Sequence, residues 1–451
     1  MGNFLMKTMG LFPTGNIQVT KSKSNESRSE SEVAINPLNS DNMVGASKKF
    51  IDPQKYHFKL GVYFTLDGGA TWKESALPML PGWDGMTDPT LSFDKNGNVF
   101  LVGEPLVFNP DDIAGLGMVV YKSTNGGATW NAPQPLSNQA SDDKQWITSD
   151  DRSESPFFGH LYLVFGVGKC RFCRSVDGGN TWKGVGTASA PSLLDLDGYA
   201  PAIITDSNGW IHIFNIPPVG TTQIDYIRSK NGGNTFESVH QIATGIVGLE
   251  VLPNTDVWPM FPHAKFRTRT MVTVCTGIDQ TLIVAWPDMR EGFCRIYFKR
   301  SLDGGNTWLG PSSGSPLLPN VSWGNNQCFM PQLTGTKNGT IGCTFYLFGK
   351  SDFNSSYLIQ VYIASSYDNG TQFDYFEKLT AYGWDPLVNA PWAHGDSNVH
   401  FIGDYFGLAG NDDFFVPFWT DTRTGVQEIF CDIVYTSKSK NVVPDLEATY
   451  V

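Results

Sequence analysis

The sequence predicts an all-β chain in which seven four-stranded antiparallel sheets follow one another around a closed ring. Three observations predict it. A glycine corner recurs along the chain, an apolar strand-turn-strand unit recurs upstream of each corner, and no long segment of 3.6-residue periodicity stands out.

The corner is clearest at Ser301-Leu-Asp-Gly-Gly-Asn-Thr-Trp308. Close copies are Thr65-Leu-Asp-Gly-Gly-Ala-Thr-Trp72, Ser123-Thr-Asn-Gly-Gly-Ala-Thr-Trp130, Ser175-Val-Asp-Gly-Gly-Asn-Thr-Trp182 and Ser229-Lys-Asn-Gly-Gly-Asn-Thr-Phe236. Ser366-Tyr-Asp-Asn-Gly-Thr-Gln-Phe373 is a degraded copy. Each follows a strand-like run, and each reads as a hairpin turn. The Asp or Asn oxygen accepts bonds from turn N–H groups, the glycines supply positive φ, and the closing aromatic covers the corner.

The upstream unit is clearest at Asp88-Pro-Thr-Leu-Ser-Phe-Asp-Lys-Asn-Gly-Asn-Val-Phe-Leu-Val102, and residues 199–214 repeat it closely. Others begin at Glu32, Lys144, Met271, Met330 and Gly403, which makes seven. The first six run into a corner hairpin, giving four strands each. The seventh lacks its outermost strand, which Asn16-Ile-Gln-Val-Thr20 can supply by pairing with the last sheet. Such pairing closes the ring and removes exposed edges. The expected organisation is an N-terminal segment (1–31) with this strand and an exposed polar loop at 21–31, one domain over 32–437, and a tail at 438–451.

These corners resemble the Asp-box, or BNR repeat, of the sialidase-like β-propellers, and the likeness covers most of the chain. The expected fold is therefore a seven-bladed β-propeller of four-stranded blades, with six blades, the number in sialidases themselves, as the alternative. In that family the box lies on the outer part of each blade, away from the active centre.

Composition limits the function. The formal charge of −12 excludes a general nucleic-acid binder, since no basic field is available to neutralise phosphates. Seven cysteines is an odd number, and Cys170-Arg-Phe-Cys173 has no second pair at zinc-like spacing, so these read as buried strand thiols. Residues 1–10 have too little apolar length for a secretory signal or membrane span, so the chain as written reads as soluble. The resemblance implies a secreted or cell-surface protein.

In a four-stranded blade the corners and the compact inner turns Asp94-Lys-Asn-Gly97 and Asp206-Ser-Asn-Gly209 share one face. The opposite face receives the long segments 73–87, 237–270, 309–329 and 374–402, where binding residues are expected. The starts of the inner strands should ring its central mouth: Glu32, Asp88, Lys144 with Trp146, Tyr199, Arg267 or Arg269, Gln327, and Asp404 with Tyr405. Carboxylates near a Tyr in a dry pocket suit acid, base or nucleophile roles. The sialidases use a Tyr–Glu nucleophile pair and an Asp acid/base, which implies Tyr405, Glu32 and Asp88 or Asp404 here. Lys144, Trp146, Tyr199, Arg269 and Gln327 are the substrate-binding candidates.

Trp286-Pro-Asp-Met-Arg290 and Trp419-Thr-Asp-Thr-Arg423 place Asp and Arg two apart on one side of a strand. They suit an ion pair locking the turn, or Arg290 and Arg423 suit an acidic group of a sugar. The chain departs from standard sialidases in having no Arg-Ile-Pro, and Glu32 would repel a sugar carboxylate at that point. Trp83, Trp146, Trp258, Trp323, Trp384 and Trp392 fall in or beside the long-loop face, where indoles stack on sugars or pack the loops.

The expected function is a glycosidase or lyase acting on carbohydrate at the mouth. The alternatives are a non-catalytic glycan-binding wheel, in which loss of Trp146 or Trp384 weakens binding, and a scaffold. No cofactor motif is present. Calcium suits an acidic mouth, although no loop has Asp-x-Asp-x-Asp-Gly spacing.

Overall fold

The computed structural model describes residues 8–21, 26–110, 112–217, 222–252, 258–351 and 356–438. It is all-β, and the described residues include one three-residue 3-10 turn, Leu249–Val251. No helix among them is long and apolar enough to cross a membrane.

The sheets are antiparallel and follow chain order. The first holds Arg28–Ile35, Met43–Asp52, His57–Thr65 and Lys73–Ser75; the second holds Gly85–Phe93, Val99–Phe108, Val119–Ser123 and Gln134–Pro135. The third and fourth units merge through the 14-residue strand Ser192–Thr205. Its first part pairs with Val167–Ser175 and its second with Ile211–Ile216. The fifth unit opens at Thr273–Thr276 and the sixth at Gln327–Gly335.

The C-terminal sheet takes its outer strand from the N-terminus. Ile17–Gln18 pairs with Glu428–Cys431, as residues 16–20 were expected to do, and Thr8–Pro13 extends the same edge along Val434–Lys438. Apolar clusters fill the space between consecutive sheets, and one of them joins Val416, Phe418 and Ile429 of the last sheet to Val33, Met43 and Tyr63 of the first.

The glycine corners share one hydrogen-bond scheme. In all six, the Ser or Thr that opens the corner accepts the N–H of the residue four further on, at 2.8–3.1 Å. The Asp or Asn accepts the N–H four residues after itself, at 2.8–3.0 Å. The glycines that follow have φ between 63° and 90° where both are present, so a side chain there would be strained. The closing aromatic does not cap its own corner but reaches the preceding sheet. Phe236 lies 4.9 Å from Phe172, Phe373 5.4 Å from Phe298, and Trp72 5.4 Å from Phe418 of the last sheet.

One expectation is corrected. Residues 22–25 of the polar run lie outside the described residues, but Ser27, Arg28, Ser29, Glu30 and Ser31 are buried, and the first inner strand starts at Arg28. Most of these polar groups find partners inside: Arg28 Nε donates to Tyr63 Oη at 2.8 Å and Ser31 Oγ to the Phe418 carbonyl at 2.6 Å, while the Ser29 hydroxyl has no hydrogen-bond partner. All seven cysteines are free and buried, and Cys170 and Cys173 lie in the strand Val167–Ser175, as expected.

Candidate active site

A left-handed residue recurs at the start of the inner strands: Glu30 (φ 53°), Asp88 (50°), Lys144 (48°), Ala200 (59°) and Met330 (50°), with Gly403 (98°) in the last unit. In four units the strand register shifts across this point, from Ser29 to Glu32, Thr87 to Thr90, Tyr199 to Ala202 and Phe329 to Gln332. A bulge re-aims a side chain, and positive φ at a non-glycine residue costs about 1–3 kcal/mol, so the surrounding fold must hold it. Three of these positions carry charge.

Glu30, Asp88 and Lys144 converge on one buried centre. The Tyr405 phenol donates to Asp88 Oδ1 at 3.3 Å, and the Thr87 hydroxyl donates to Oδ2 at 2.8 Å. The Lys144 ammonium lies 3.3 Å from the centroid of the Tyr405 ring and 4.5 Å from that of Trp146. Glu30 pairs with Lys48 at 2.6 Å and accepts the Asp404 N–H at 3.3 Å. Arg267 holds Asp404 through two nitrogens, at 3.2 and 2.6 Å, and a third nitrogen meets His394 Nε2 at 2.9 Å.

The rim is more open. Trp146, Asp143, Tyr199, Trp258 and Arg269 are half-buried, and His394 is exposed at the tip of the hairpin Trp392–Ala393 and Asp396–His400. Its imidazole is stacked between Tyr56 at 4.6 Å and Trp258 at 5.0 Å. The Arg269 guanidinium lies 4.5 Å from Trp258 and 5.0 Å from Tyr199; its Nε is buried without a partner. Arg267 is committed to Asp404 and His394, whereas Arg269 makes no ion pair among the described residues.

Burial dominates the electrostatics. It pushes the Tyr405 phenol well above its usual range, with Asp88 adding to the rise. Burial also raises Asp88, but Lys48 and Lys144 more than offset it and the carboxyl is held below its ordinary value. Burial moves Glu32 up to about 8 against the pull of Lys144. Glu104 is raised well above the carboxylate range by burial and by Asp143 and Asp88. Although His394 as a residue is exposed, its ring is covered by Tyr56 and Trp258, and this desolvation together with Arg267 holds the imidazole down at about 3. It is therefore neutral, with Nε2 accepting from Arg267.

The other sequence candidates are placed as follows. Glu32 lies two residues beyond the bulge and lines a cavity of about 670 Å³ on the corner side, with Trp146 beside it; its Oε1 has no partner. Tyr405 therefore bonds to Asp88 and not to Glu32. Gln327 is taken up by the Cys294 N–H, which its Oε1 accepts at 2.7 Å, and by the Asn325 carbonyl. Arg290 and Arg423 pair with Asp288 and Asp421 and lie over Tyr297 and Phe430, so they lock their turns. Trp384 is buried against Tyr346, and Trp323 packs on Phe345 and Tyr362.

Sequence reasoning missed Glu30, Lys48, Glu104, Asp143 and His394. For Glu30 the available signal was its offset from Asp88-Pro: each stands two residues before the residue at which regular pairing resumes, Glu32 and Thr90.

No family model matches the chain. A sialidase of Bacteroides fragilis (strain YCH46) is 24% identical over 301 residues, covering 59% of this chain and 51% of that protein. The chain thus spans about half the length of this curated relative. Among solved structures, a protein of unknown function from Dyadobacter fermentans DSM 18053 matches with a TM-score of 0.52 at 14% identity, over 95% of this chain and 99% of that one. The Hadza microbial sialidase Hz136 matches with a TM-score of 0.45 at 15% identity, over 71% and 63%. The structural likeness is one of fold, and the sequence likeness gives the chain a sialidase-like relation over somewhat more than half its length.

Proposed function

We propose that this chain is a seven-bladed β-propeller of sialidase-like type, closed by its N-terminal strands, and that its hub acts on carbohydrate as a glycoside hydrolase. One observation carries the catalytic part: a buried phenol, Tyr405, hydrogen-bonded at 3.3 Å to a carboxylate that neighbouring ammonium groups keep ionised. The Tyr405 oxygen bonds to the anomeric carbon as the glycosidic bond breaks, and its proton passes to Asp88. The leaving oxygen takes a proton from water at the half-open rim. The hydroxide left by that water then attacks the anomeric carbon and releases the sugar from the tyrosine, whose oxygen recovers its proton from Asp88.

Trp146, Tyr199 and Trp258 offer ring faces to the sugar, and Lys144 and Arg269 offer donors to its substituents. Asp404 is a positioning residue, because both its oxygens are held by Arg267. Arylglycoside and oligosaccharide panels test this reading. Once a substrate is found, Tyr405→Phe should abolish turnover and Asp88→Asn should lower kcat on the order of 10²–10⁴-fold. Arg269→Ala should act mainly on KM. Turnover that survives Tyr405→Phe unchanged removes the tyrosine from the mechanism.

A second reading, glycan binding without turnover, is favoured by the burial of the reacting pair, since Tyr405 is only 5% and Asp88 8% exposed. It predicts binding on a glycan array, no product, and no effect of Tyr405→Phe on affinity.

A further inference from the structure

Three carboxylates, Asp88, Glu104 and Asp143, come together beside the Tyr405 contact, with one oxygen of each within 4.8 Å of the others. Charge of one sign at that spacing in a dry interior needs either protons or a cation. The neighbouring ammonium groups do not serve as counter-ions in direct contact. Lys48 is committed to Glu30 at 2.6 Å and Lys144 rests on the Tyr405 ring. Among the described residues, none of the three carboxylates joins an ion pair.

The surroundings supply independent observations. Glu104 is only 6% exposed, its carboxyl has no hydrogen-bond partner among the described residues, and it is aimed at the other two acids. A buried carboxyl is normally satisfied, and this one is not. The absence of a side chain at Gly115 makes room for the Glu104 carboxyl itself. At Gly115 a Cβ would stand 1.9 Å from Glu104 Oε1 and 3.1 Å from the Ala140 carbonyl oxygen, so a glycine lets two oxygens approach the same place. Gln145, wholly buried, donates to the Asp88 carbonyl and leaves its own amide oxygen without a donor.

We propose that Asp88, Glu104 and Asp143 form a binding site for a hard divalent cation of the calcium class. Carboxylate and carbonyl oxygens are the donors such an ion takes. Asp88 and Glu104 belong to the second sheet, whereas Asp143 precedes the first strand of the third, so the ion joins two units. It adds to the pull of Lys48 and Lys144 on Asp88 and fixes that carboxylate as the acceptor of the Tyr405 phenol. The proposal stands apart from any turnover, and its test needs no substrate.

The test is calcium titration of the full chain after chelator treatment, followed by calorimetry and by thermal unfolding. One ion per chain is expected, with a Kd on the order of 10⁻⁶–10⁻⁴ M and a Tm that rises with calcium. Glu104→Gln should weaken binding at least about tenfold, as loss of one charged ligand requires, whereas the exposed Asp195→Asn should leave it unchanged. If Glu104→Gln does not fold, Asp143→Asn is read in its place. Absence of both heat and Tm shift in the wild-type chain overturns the proposal and leaves the three acids sharing protons. Equal affinity in wild type and Glu104→Gln overturns it too, by moving the ion elsewhere.

Discussion

Glu32 provides a test of the hub's electrostatics that needs no substrate. It is 6% exposed, one of its oxygens lacks a partner, and burial moves its carboxyl from 4.5 to about 8. The charge facing it is Lys144, which opposes the shift only in part. Between the unfolded and folded values the native chain keeps a proton that the unfolded chain has released. Stability contributed by this site is therefore present below the unfolded value and falls as pH rises towards 8. A gap of about 3.5 units corresponds to at most about 5 kcal/mol. Solvent in the adjoining cavity reduces this to a few kcal/mol on the order expected for partly screened sites. Glu32→Gln keeps the volume and removes the titration. Urea unfolding at about pH 5 and about pH 8 should show the variant gaining on wild type by a few kcal/mol at the higher pH only. Parallel stability curves for the two proteins would refute the argument.

Other perturbations read separate parts of the fold. Arg267→Met leaves Asp404 buried without its two donors and should destabilise by about 3–5 kcal/mol in urea unfolding. Phe373→Ala removes the ring that crosses to Phe298 and should cost about 3–5 kcal/mol, with no change in the hub. His394 should show no imidazole titration by NMR between about pH 5 and 8, because its folded value is about 3. Deleting residues 1–20 uncovers the edge paired with Glu428–Cys431 and Val434–Lys438, and should lower Tm and promote association in light scattering.

The corners were legible in the sequence because their physics is local. Hydroxyl, carboxylate or amide, and glycine stand at fixed offsets of four residues or fewer, and each hydrogen bond closes within the motif. The pairing of residues 16–20 with the C-terminal sheet was legible for a related reason: the last recurring unit was a strand short and this strand had no partner of its own. The hub was only partly legible. Asp88, Lys144, Asp404 and Tyr405 were found by their place in the repeat, but Glu30 was hidden in a run of Ser, Arg and Glu that resembles a solvated loop. The partners of this run, Lys48 for Glu30 and Tyr63 for Arg28, come from other strands and cannot be seen by reading along the chain. His394 was equally hidden, since only the fold brings its hairpin over Tyr56 and Arg267.

The recurring bulge explains why distant charges meet. A regular inner strand would alternate its side chains between the two sheets beside it, and none would be held at the centre. One left-handed residue breaks that alternation, and repetition brings the broken position of different units to the same point. Where that residue is Ala200 or Met330 the unit contributes packing; where it is Glu30, Asp88 or Lys144 it contributes charge. The cost of positive φ is then borne by the sheet pairing on both sides of the bulge. Replacing Ala200 with Gly should therefore stabilise the fold slightly, by under about 1 kcal/mol, because it relieves φ at a site with no ligand role. Asp88→Gly relieves the same strain but removes the acceptor of the Tyr405 phenol, and should retain the fold while losing turnover. If both glycine variants destabilise equally, the left-handed residues are not strained, and the bulge is merely tolerated by the fold instead of being held by it.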